Sequence, residues 1–305
     1  MSIPHWGLAL LIVLAWGLNF VVIRFGLDEL PPMLLGALRF SLVAFPAVLF
    51  FKPPKLPLKW LLGYGAFISL GQFAFLFSAM YFGMPAGLAS LVLQAQMLFT
   101  MLFALLFLGE RLHLPQLISL VVAVTGLYFL ASATPTEDMT LIGFLLTVAA
   151  AASWGMGNII NRHIVQLGDI NLMSLVVWGA LVPPIPFFLL SLWLEGPALI
   201  VESLTGMGWK SIGSLIYLAA VASLFGYGSW AFLMSRYPAS TVAPLTLLVP
   251  IVGLLTAWLV LGESVSLSQT VGIVLILLGL MINVFGQRLR LRLKLRRLGI
   301  EKPEI

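Results

Sequence analysis

Two glutamines, Gln94 and Gln96, lie near the middle of one long apolar segment of this chain. A side-chain amide donates hydrogen bonds to a carboxylate and accepts them from an ammonium, so it suits a small zwitterionic solute. The structural alternative is that each amide bonds to the backbone of a neighbouring helix. Residues two apart on an α-helix are separated by about 200°, so we expect at most one of them to point straight into a central cavity.

Arg39 is the basic residue that lies well inside an apolar segment, about two turns from its predicted outer end. An isolated charge at that depth is costly, so it should face a wet cavity or a partner. In a cavity it would hold the carboxylate of a bound solute. The alternatives are that it snorkels to the membrane surface, or that it bonds carbonyl groups at a helix end.

Other polar and aromatic side chains at membrane depth add to these candidates. Asn19 and Asn158 follow Trp-Gly pairs at similar positions, and Gln72 lies next to Phe73 and near Phe77. Each has a structural alternative, because polar groups also join helices and aromatic rings also pack or face lipid. The residues that we expect to contact substrate are Asn19, Arg39, Gln72, Gln94, Gln96, Asn158, Trp178, Tyr227 and Trp230.

Ionisable residues at predicted helix ends are candidates for gating or coupling. They are Glu110, Arg162, His163 and Glu263, although Arg162 and His163 also fit interfacial anchors. No carboxylate lies deep in a predicted span, whereas many proton-coupled carriers use buried Asp or Glu. Proton coupling through a helix-end carboxylate or a histidine therefore stays an alternative to facilitated diffusion.

The residue patterns that catalysis or metal binding requires are missing from the sequence. There is no cysteine, and the three histidines form no cluster with Asp, Ser or metal-ligand spacing. We therefore expect no metal, no cofactor and no enzymatic activity.

The elements that must position these residues are apolar helices. Hydrophobic residues make up 61% of the 305 residues and charged residues only 9%, which is far below the share in a soluble domain. The apolar runs are continuous over roughly 20 residues, which predicts membrane-spanning helices and not the alternating strands of a barrel. The predicted spans are 4–25, 33–51, 59–81, 86–108, 115–132, 140–164, 172–194, 210–235, 240–261 and 267–288.

The distribution of Lys and Arg predicts the orientation of these spans. With both termini in the cytoplasm, 13 of the 16 basic residues fall on the cytoplasmic side. The net charge of +5 would also fit a nucleic-acid partner, but seven of the basic residues lie in the last 18 positions. A basic tail, residues 289–305, is more simply a cytoplasmic anchor beside anionic lipid. We therefore expect a lipid partner and no nucleic acid.

The second half of the chain repeats the first. Pro85-Ala86, Gly109-Glu110 and Gln116 recur 153 residues later, and Trp16-Gly17 recurs 138 residues later. We therefore predict two five-helix repeats, residues 1–133 and 134–288, joined by the polar linker 134–138. Five is an odd number, so the copies should be inverted in the membrane, with a substrate site between them at mid-depth. The roughly 15 extra residues of the second half are expected in its second and third helices.

Several motifs of the chain resemble those of the drug/metabolite transporter superfamily, of the EamA type. They are Trp16-Gly17-Leu18-Asn19-Phe20, Leu38-Arg39-Phe40, Gly83 to Gln96, Gly109-Glu110-Arg111, Trp154-Gly155, Ala243-Pro244-Leu245, Leu247 to Pro250 and Gly262-Glu263. The resemblance covers nearly the whole chain except the basic tail.

This resemblance implies an all-α integral membrane fold of ten helices in a 5+5 inverted repeat, located in the inner membrane. It also implies an exporter of small metabolites, and closeness to amino-acid metabolite exporters implies O-acetylserine and cysteine as substrates. The alternatives are a drug or nucleobase exporter, or a facilitative channel, of the same superfamily. A membrane-embedded enzyme is the least favoured interpretation.

Overall fold

A computed structural model describes residues 1–132, 139–168 and 170–297. Over these residues the chain is helical without a strand, and ten helices are long and apolar enough to cross a membrane. The ten-helix prediction is therefore confirmed. We number the spanning helices α1 Ile3–Leu27, α2 Pro32–Leu49, α3 Leu58–Tyr81, α4 Ala86–Leu108, α5 Leu114–Ser132, α6 Leu141–Gln166, α7 Leu172–Leu194, α8 Trp209–Arg236, α9 Ala239–Leu261 and α10 Leu267–Arg297.

The predicted linker 134–138 and the end of the basic tail lie outside the described residues. The apolar part of α10 is Leu267–Gly286, and the helix continues to Arg297. The first part of the predicted tail is therefore a helical extension of the last span.

Proline explains the two interrupted spans. Phe45, which precedes Pro46, has an extended backbone, so the regular part of α2 ends at Ala44. In α7 the helix stops at Gly179 and resumes at Pro184, because a proline lacks the N–H that would continue the ladder.

The extra residues of the second half lie partly where the sequence predicted. Helices α7 and α8 are 23 and 28 residues long, against 18 and 24 residues for α2 and α3. The remaining extra residues lie in the connection between α7 and α8, which contains a short helix, Pro197–Thr205. The expectation that all of them lie within the two spans was wrong, because this surface helix is too short to carry a hydropathy signal of its own.

One compact unit of the fold, residues 1–104 with 139–264, holds the first four helices of each half. Gly17 of α1 fits closely against Val252 and Gly253 of α9, and a Cβ at Gly17 would clash with the Val252 side chain. Gly155 of α6 fits in the same way against Phe99 and Thr100 of α4. The glycines are 138 residues apart and their partners are 153 apart, which are the offsets of the sequence repeat.

Irregular backbone segments recur at matched places in this unit. The third helix of each half carries a π-helical segment, Gly65–Gly71 in α3 and Tyr217–Phe225 in α8. The fourth helix of each half carries a 3₁₀ segment, Leu93–Ala95 in α4 and Ala243–Leu247 in α9. Such segments are uncommon inside helices and occur often at functional sites, so their pairing marks the region where a site is expected.

The second compact unit, residues 105–132 with 265–297, pairs the fifth helices α5 and α10. They run antiparallel, because Gly126 packs on Gly272 while Ser119 packs on Gly279. A shift of 153 residues converts the first contact into the second, so the pair has an internal two-fold relation. Two equivalent helices that run in opposite directions are what an inverted repeat requires.

Each of these fifth helices begins with the same capping arrangement. Gln116 accepts a hydrogen bond from the His113 amide at 2.8 Å, and Gln269 accepts one from the Ser266 amide at 2.8 Å. A glutamine that reaches back to the start of its own helix is one half of a capping box. The repeated glutamines are therefore helix caps.

Candidate functional site

A cavity of about 130 Å³ lies inside the first compact unit, lined by seven helices. One of its walls is Trp154, which lies at the middle of the 26-residue helix α6. Six of the nine substrate-contact candidates line it, namely Asn19, Arg39, Gln72, Gln94, Gln96 and Tyr227. The structure thus brings together polar residues that are up to 208 positions apart in the chain.

Arg39 is the one charged side chain among the described residues that line this cavity. It is 2% exposed, and its Nη2 donates a hydrogen bond to the Ser223 hydroxyl at 3.3 Å. Its guanidinium carbon lies 4.1 Å from the centre of the Phe73 ring, a cation–π contact. Nε and Nη1 have no hydrogen-bond partner among the described residues.

The lack of an acidic partner gives the cavity its electrostatic character. A buried charge usually has a counter-ion or a full set of hydrogen bonds, and a guanidinium that has neither is costly. The aromatic ring of Phe73 and the hydroxyl of Ser223 compensate only part of this cost. The cavity wall therefore carries a buried positive charge that is only partly compensated by the described residues.

Two amide oxygens in the cavity wall are unsatisfied as well. Asn19 Oδ1 on α1 and Gln72 Oε1 on α3 are buried and have no partner within the described chain. The exposed fractions of the two residues are 8% and 3%. A buried acceptor that makes no bond costs free energy, about 1–3 kcal/mol, which a bound donor would recover.

Gln94 and Gln96 both line the cavity. Gln96 Oε1 also accepts a hydrogen bond from Asn158, which lies outside the lining, so the expectation that at most one glutamine points straight into the cavity stays a prediction. Both glutamines reach the lining because the 3₁₀ segment Leu93–Ala95 has three residues per turn. Residues two apart are then separated by about 120° the shorter way around, compared with about 160° on an α-helix. Apolar patterning does not indicate this local tightening.

Asn158 lies one layer behind the cavity and does not line it. Its Nδ2 donates to Gln96 Oε1 at 2.6 Å and to Thr100 Oγ1 at 3.0 Å, which joins α6 to α4. The structure therefore gives Asn158 an interhelical contact in place of the predicted direct one, and it orients Gln96.

Trp178 and Trp230 also lie away from the cavity lining. The indole N–H of Trp178 donates to the Phe51 carbonyl at 2.8 Å, because the break in α7 places this ring against the end of α2. Trp230 packs on Trp16 with ring centres 5.4 Å apart, beside the buried Leu233. Neither ring lines the cavity, because both are used in packing, and their contact with substrate stays a prediction.

The four gate or coupling candidates lie at helix ends. Arg162 and His163 are in the last turns of α6, and the His163 ring packs on Trp60 with centres 4.2 Å apart. Glu110 follows the end of α4. The Glu263 carboxylate accepts hydrogen bonds from the Ala86 and Gly87 amides at 2.6 and 2.8 Å.

Glu263 belongs to a set of three carboxylates that cap helix N-termini, and the other two were not anticipated. Glu195, at the end of α7, accepts from the amides of Met33 and Leu34 at 2.6 and 3.2 Å. Glu29 accepts from the Gly208 amide at 2.9 Å and from the Ser211 hydroxyl at 2.6 Å. A carboxylate satisfies the unpaired amides and the positive dipole of a helix start.

The environment of Glu29 also fixes its charge. Hydrogen bonds from the Ser211 side chain and the Gly208 amide lower the pKa of Glu29 below its usual 4.5, and Lys210 adds to this effect. Glu29 is therefore ionised at neutral pH, when its contact with the start of α8 is strongest.

Sequence reasoning missed several cavity residues. Trp16 and Trp154 line the wall from equivalent positions in the two halves, and Ser90 and Thr246 add hydroxyl groups. The repeated Trp-Gly pair was the available signal, because a position retained in both halves near mid-depth is expected to face their shared site. Serine and threonine in apolar helices give no comparable signal, since they bond their own backbone, as Ser90 does to Gly87.

The arrangement is suited to binding. One buried cation and several amides surround a mainly apolar space. Within the described part of the chain no three His, Asp or Glu side chains are grouped as metal ligands. A small polar solute with an anionic group matches these walls.

Comparison with known proteins gives matches for both the sequence and the fold. The chain matches the EamA-like transporter family twice, over residues 6–132 and 141–285, which are the two halves of the fold. A solved crystal structure has a TM-score of 0.60 and 19% identity, covering 95% of this chain and 99% of that one. At that identity the likeness shows the fold alone.

Three curated relatives are similar over nearly their whole length. A "Probable amino-acid metabolite efflux pump" of Salmonella typhimurium is 54% identical over 95% of this chain and 98% of its own. A protein of the same name from Escherichia coli is 52% identical over 96% and 99%. A "Probable terminal-alkyne amino-acid exporter" of Streptantibioticus cattleyicolor is 27% identical over 92% and 93%. The chain is thus a multi-pass membrane protein and not an enzyme, and it belongs to the EamA-like transporter family.

Proposed function

We propose that this protein exports small zwitterionic amino-acid metabolites from the cytoplasm, with O-acetylserine and cysteine as substrates. The names of the two relatives above 50% identity support amino-acid metabolites as the class. We also propose an inner-membrane location, as the family resemblance implies, and the Lys and Arg distribution supports an orientation with both termini in the cytoplasm.

The single observation that carries the proposal is Arg39 in its cavity. A buried guanidinium with two unpaired donors favours an anionic acceptor, and a substrate carboxylate can accept a charge-assisted hydrogen bond from either donor. No carboxylate of the described chain lines the cavity, so the solute must bring its own.

The size of the cavity supports a small solute. Its volume of about 130 Å³ is close to that of a cavity that holds benzene, about 150 Å³. A solute of roughly six to ten non-hydrogen atoms fits this space. O-acetylserine and cysteine fall in this range, whereas a bulky drug does not.

Alternating access of the two repeats, residues 1–133 and 134–288, is the proposed mechanism. The matched π-helical and 3₁₀ segments lie in helices whose side chains line the cavity, so small changes in their hydrogen bonding would tilt the helix ends. Motion of the first repeat in one direction would then be mirrored in the second.

Coupling to protons belongs to the helix-end groups in this proposal. Among the described residues the cavity lining holds no Asp, Glu or His. A pH gradient should therefore alter the transport rate through gating at the helix ends, while the substrate gradient supplies the driving force.

Efflux from cells tests the substrate and the site together. Cells that express the protein should release preloaded radiolabelled O-acetylserine and cysteine faster than cells without it. Arg39→Gln should reduce the added efflux at least tenfold, because hydrogen bonds to charged groups contribute about 1.5–3 kcal/mol. The matched control is Arg111→Gln, which removes the same charge from an exposed turn.

Two outcomes would count against the proposal. Equal efflux from expressing and empty cells would refute the substrates. Normal efflux by Arg39→Gln, at equal membrane abundance, would refute the site.

A further inference from the structure

The unsatisfied polar atoms of the cavity form two complementary groups. The donors are Nε and Nη1 of Arg39, and the acceptors are Oδ1 of Asn19 and Oε1 of Gln72. They come from three helices, α2, α1 and α3, and every residue is more than nine-tenths buried. Most buried side-chain polar atoms in proteins have a partner, so this concentration around one cavity calls for a ligand.

The two groups require ligand groups of opposite kinds, namely acceptors for the donors and donors for the acceptors. Arg39 carries a permanent positive charge and offers donors only, so it takes an anion. The two amide oxygens offer lone pairs, so they take a donor, and a cationic donor gains the most. A ligand that carries an anion alone would leave Asn19 and Gln72 unsatisfied.

The size of the cavity requires that both groups of the ligand lie close together. In a space of about 130 Å³ a small solute contacts several walls at once. An α-amino acid carries its carboxylate and its ammonium on the same carbon atom, which is the shortest spacing that amino acids offer. The α-amino-acid group therefore matches the donors and the acceptors together.

The remaining lining residues face the side chain of the ligand, and they restrict its identity less than the polar residues restrict the α-amino-acid group. It consists of apolar side chains such as Phe20, Leu93 and Val249, with hydroxyls from Ser90 and Thr246. Arg39 is the one charged residue in the described lining, so a charged substrate side chain would lack a counter-charge. A short uncharged side chain fits this compartment.

We propose that the cavity recognises the α-amino-acid group itself, with Arg39 holding the carboxylate and the amide oxygens of Asn19 and Gln72 holding the ammonium. This inference rests on the proposed transport function. It says which residues of the same site hold the carboxylate and which hold the ammonium of the substrate. It makes a free amine a condition of transport, and it leaves the identity of the short neutral side chain less restricted.

Isomers with a free and a blocked amine provide the sharpest probe. O-acetylserine and N-acetylserine have the same atoms, but only the first has an ammonium group. Purified protein in liposomes would exchange radiolabelled cysteine at about pH 6, where the O-acetyl isomer does not rearrange quickly. Each isomer, and the methyl ester of O-acetylserine, would be added as a competitor.

We expect O-acetylserine to compete at a concentration at least about tenfold lower than N-acetylserine or the ester, as loss of a charged hydrogen bond predicts. Asn19→Leu and Gln72→Leu should each reduce the ratio between the two isomers toward one. Arg39→Gln should instead reduce the ratio between O-acetylserine and its ester. A general folding defect would lower all rates and leave these ratios unchanged.

Asn161→Leu is the matched control for the amide variants. Its Oδ1 is also buried without a partner in the described chain, but it does not line the cavity. The isomer ratio of this variant should equal that of the unmodified protein.

The results separate failure of this inference from failure of the proposed function. If cysteine exchanges and N-acetylserine competes as well as O-acetylserine, the ammonium site is wrong and the transport function stands. If neither cysteine nor O-acetylserine exchanges, the proposed function itself fails. The isomer comparison in the unmodified protein holds even if a variant does not fold.

Discussion

Arg39 is the residue on which the account depends most, and the sequence identified it by its depth in an apolar helix. Its partners were not predictable, because Ser223 is 184 positions away. Phe73 was noted only as a neighbour of Gln72, and its contact with the guanidinium depends on how α2 packs on α3. A charge in a span indicates a function, but only the fold shows what surrounds it.

Phe73 is expected to hold the Arg39 guanidinium in position and so to strengthen substrate binding. Phe73→Leu keeps an apolar side chain and removes the ring that lies 4.1 Å from the guanidinium. A cation–π contact contributes about 0.5–2 kcal/mol, so the half-saturating concentration of substrate should rise about 2- to 30-fold. Equilibrium exchange at varied substrate concentration measures this change.

Phe77→Leu serves as the control for that variant. The Phe77 ring is 5.8 Å from the guanidinium and outside the cavity lining, while the change in side-chain volume is the same. Its half-saturating concentration should stay within about twofold. An equal rise in both variants would mean that packing, and not the cation–π contact, supports Arg39.

At the scale of elements, carboxylates at the ends of helices join segments that are distant in sequence. Glu195 connects the end of α7 to the start of α2, and Glu263 connects the end of α9 to the start of α4. A Cβ at Gly87 would lie 3.2 Å from a Glu263 oxygen, which explains a glycine at that helix start. The Gly-Glu turn was recognised as a repeated motif, but its partner is visible only in the fold.

The contact of Glu29 with the start of α8 should make stability depend on pH. Hydrogen bonds from Ser211 and Gly208 lower the pKa of Glu29, so the contribution is complete above its usual value of 4.5. It is lost as the pH falls below 4.5 through the lowered pKa, where the carboxylate gains a proton. The melting temperature of the detergent-solubilised protein, measured from pH 7 to pH 3, reports this loss.

Glu29→Gln should melt at a lower temperature at pH 7 and should lose less on acidification than the unmodified protein. Glu202→Gln is the control, because Glu202 is an exposed carboxylate on the short helix Pro197–Thr205. A pH dependence that is identical in Glu29→Gln and in the unmodified protein would contradict this role.

The irregular segments show what hydropathy does not report. The lengths of α3, α4, α8 and α9 were predicted within a few residues, because a span must cross a fixed thickness of lipid. The π-helical and 3₁₀ segments inside them change the hydrogen-bond partner of each amide without changing the apolar run. These segments were therefore not predicted.

At the scale of the whole molecule, the ten spans and their repeat were predictable from the sequence. In lipid the backbone N–H and C=O groups must form hydrogen bonds within each helix. The length of each apolar run is therefore enough to define a span. The 153-residue offset relates the two halves. The same offset converts the contact of Gly126 with Gly272 into the contact of Gly279 with Ser119.

The compact units were not predictable, since they do not follow the order of the chain. Each half contributes four helices to one unit and its fifth helix to the other. Packing between equivalent helices of different halves, as in α5 and α10, depends on small residues facing each other. The sequence shows those residues but not their partner.

Counterflow in liposomes shows whether the cavity around Arg39 is the transport site of a carrier. Vesicles that hold purified protein and unlabelled O-acetylserine should transiently accumulate external labelled O-acetylserine above its equilibrium level. Arg39→Gln should reduce this overshoot at least about tenfold, and Arg111→Gln should retain it. Label that equilibrates without an overshoot would indicate a channel, and an overshoot of full size in Arg39→Gln would contradict the assigned site.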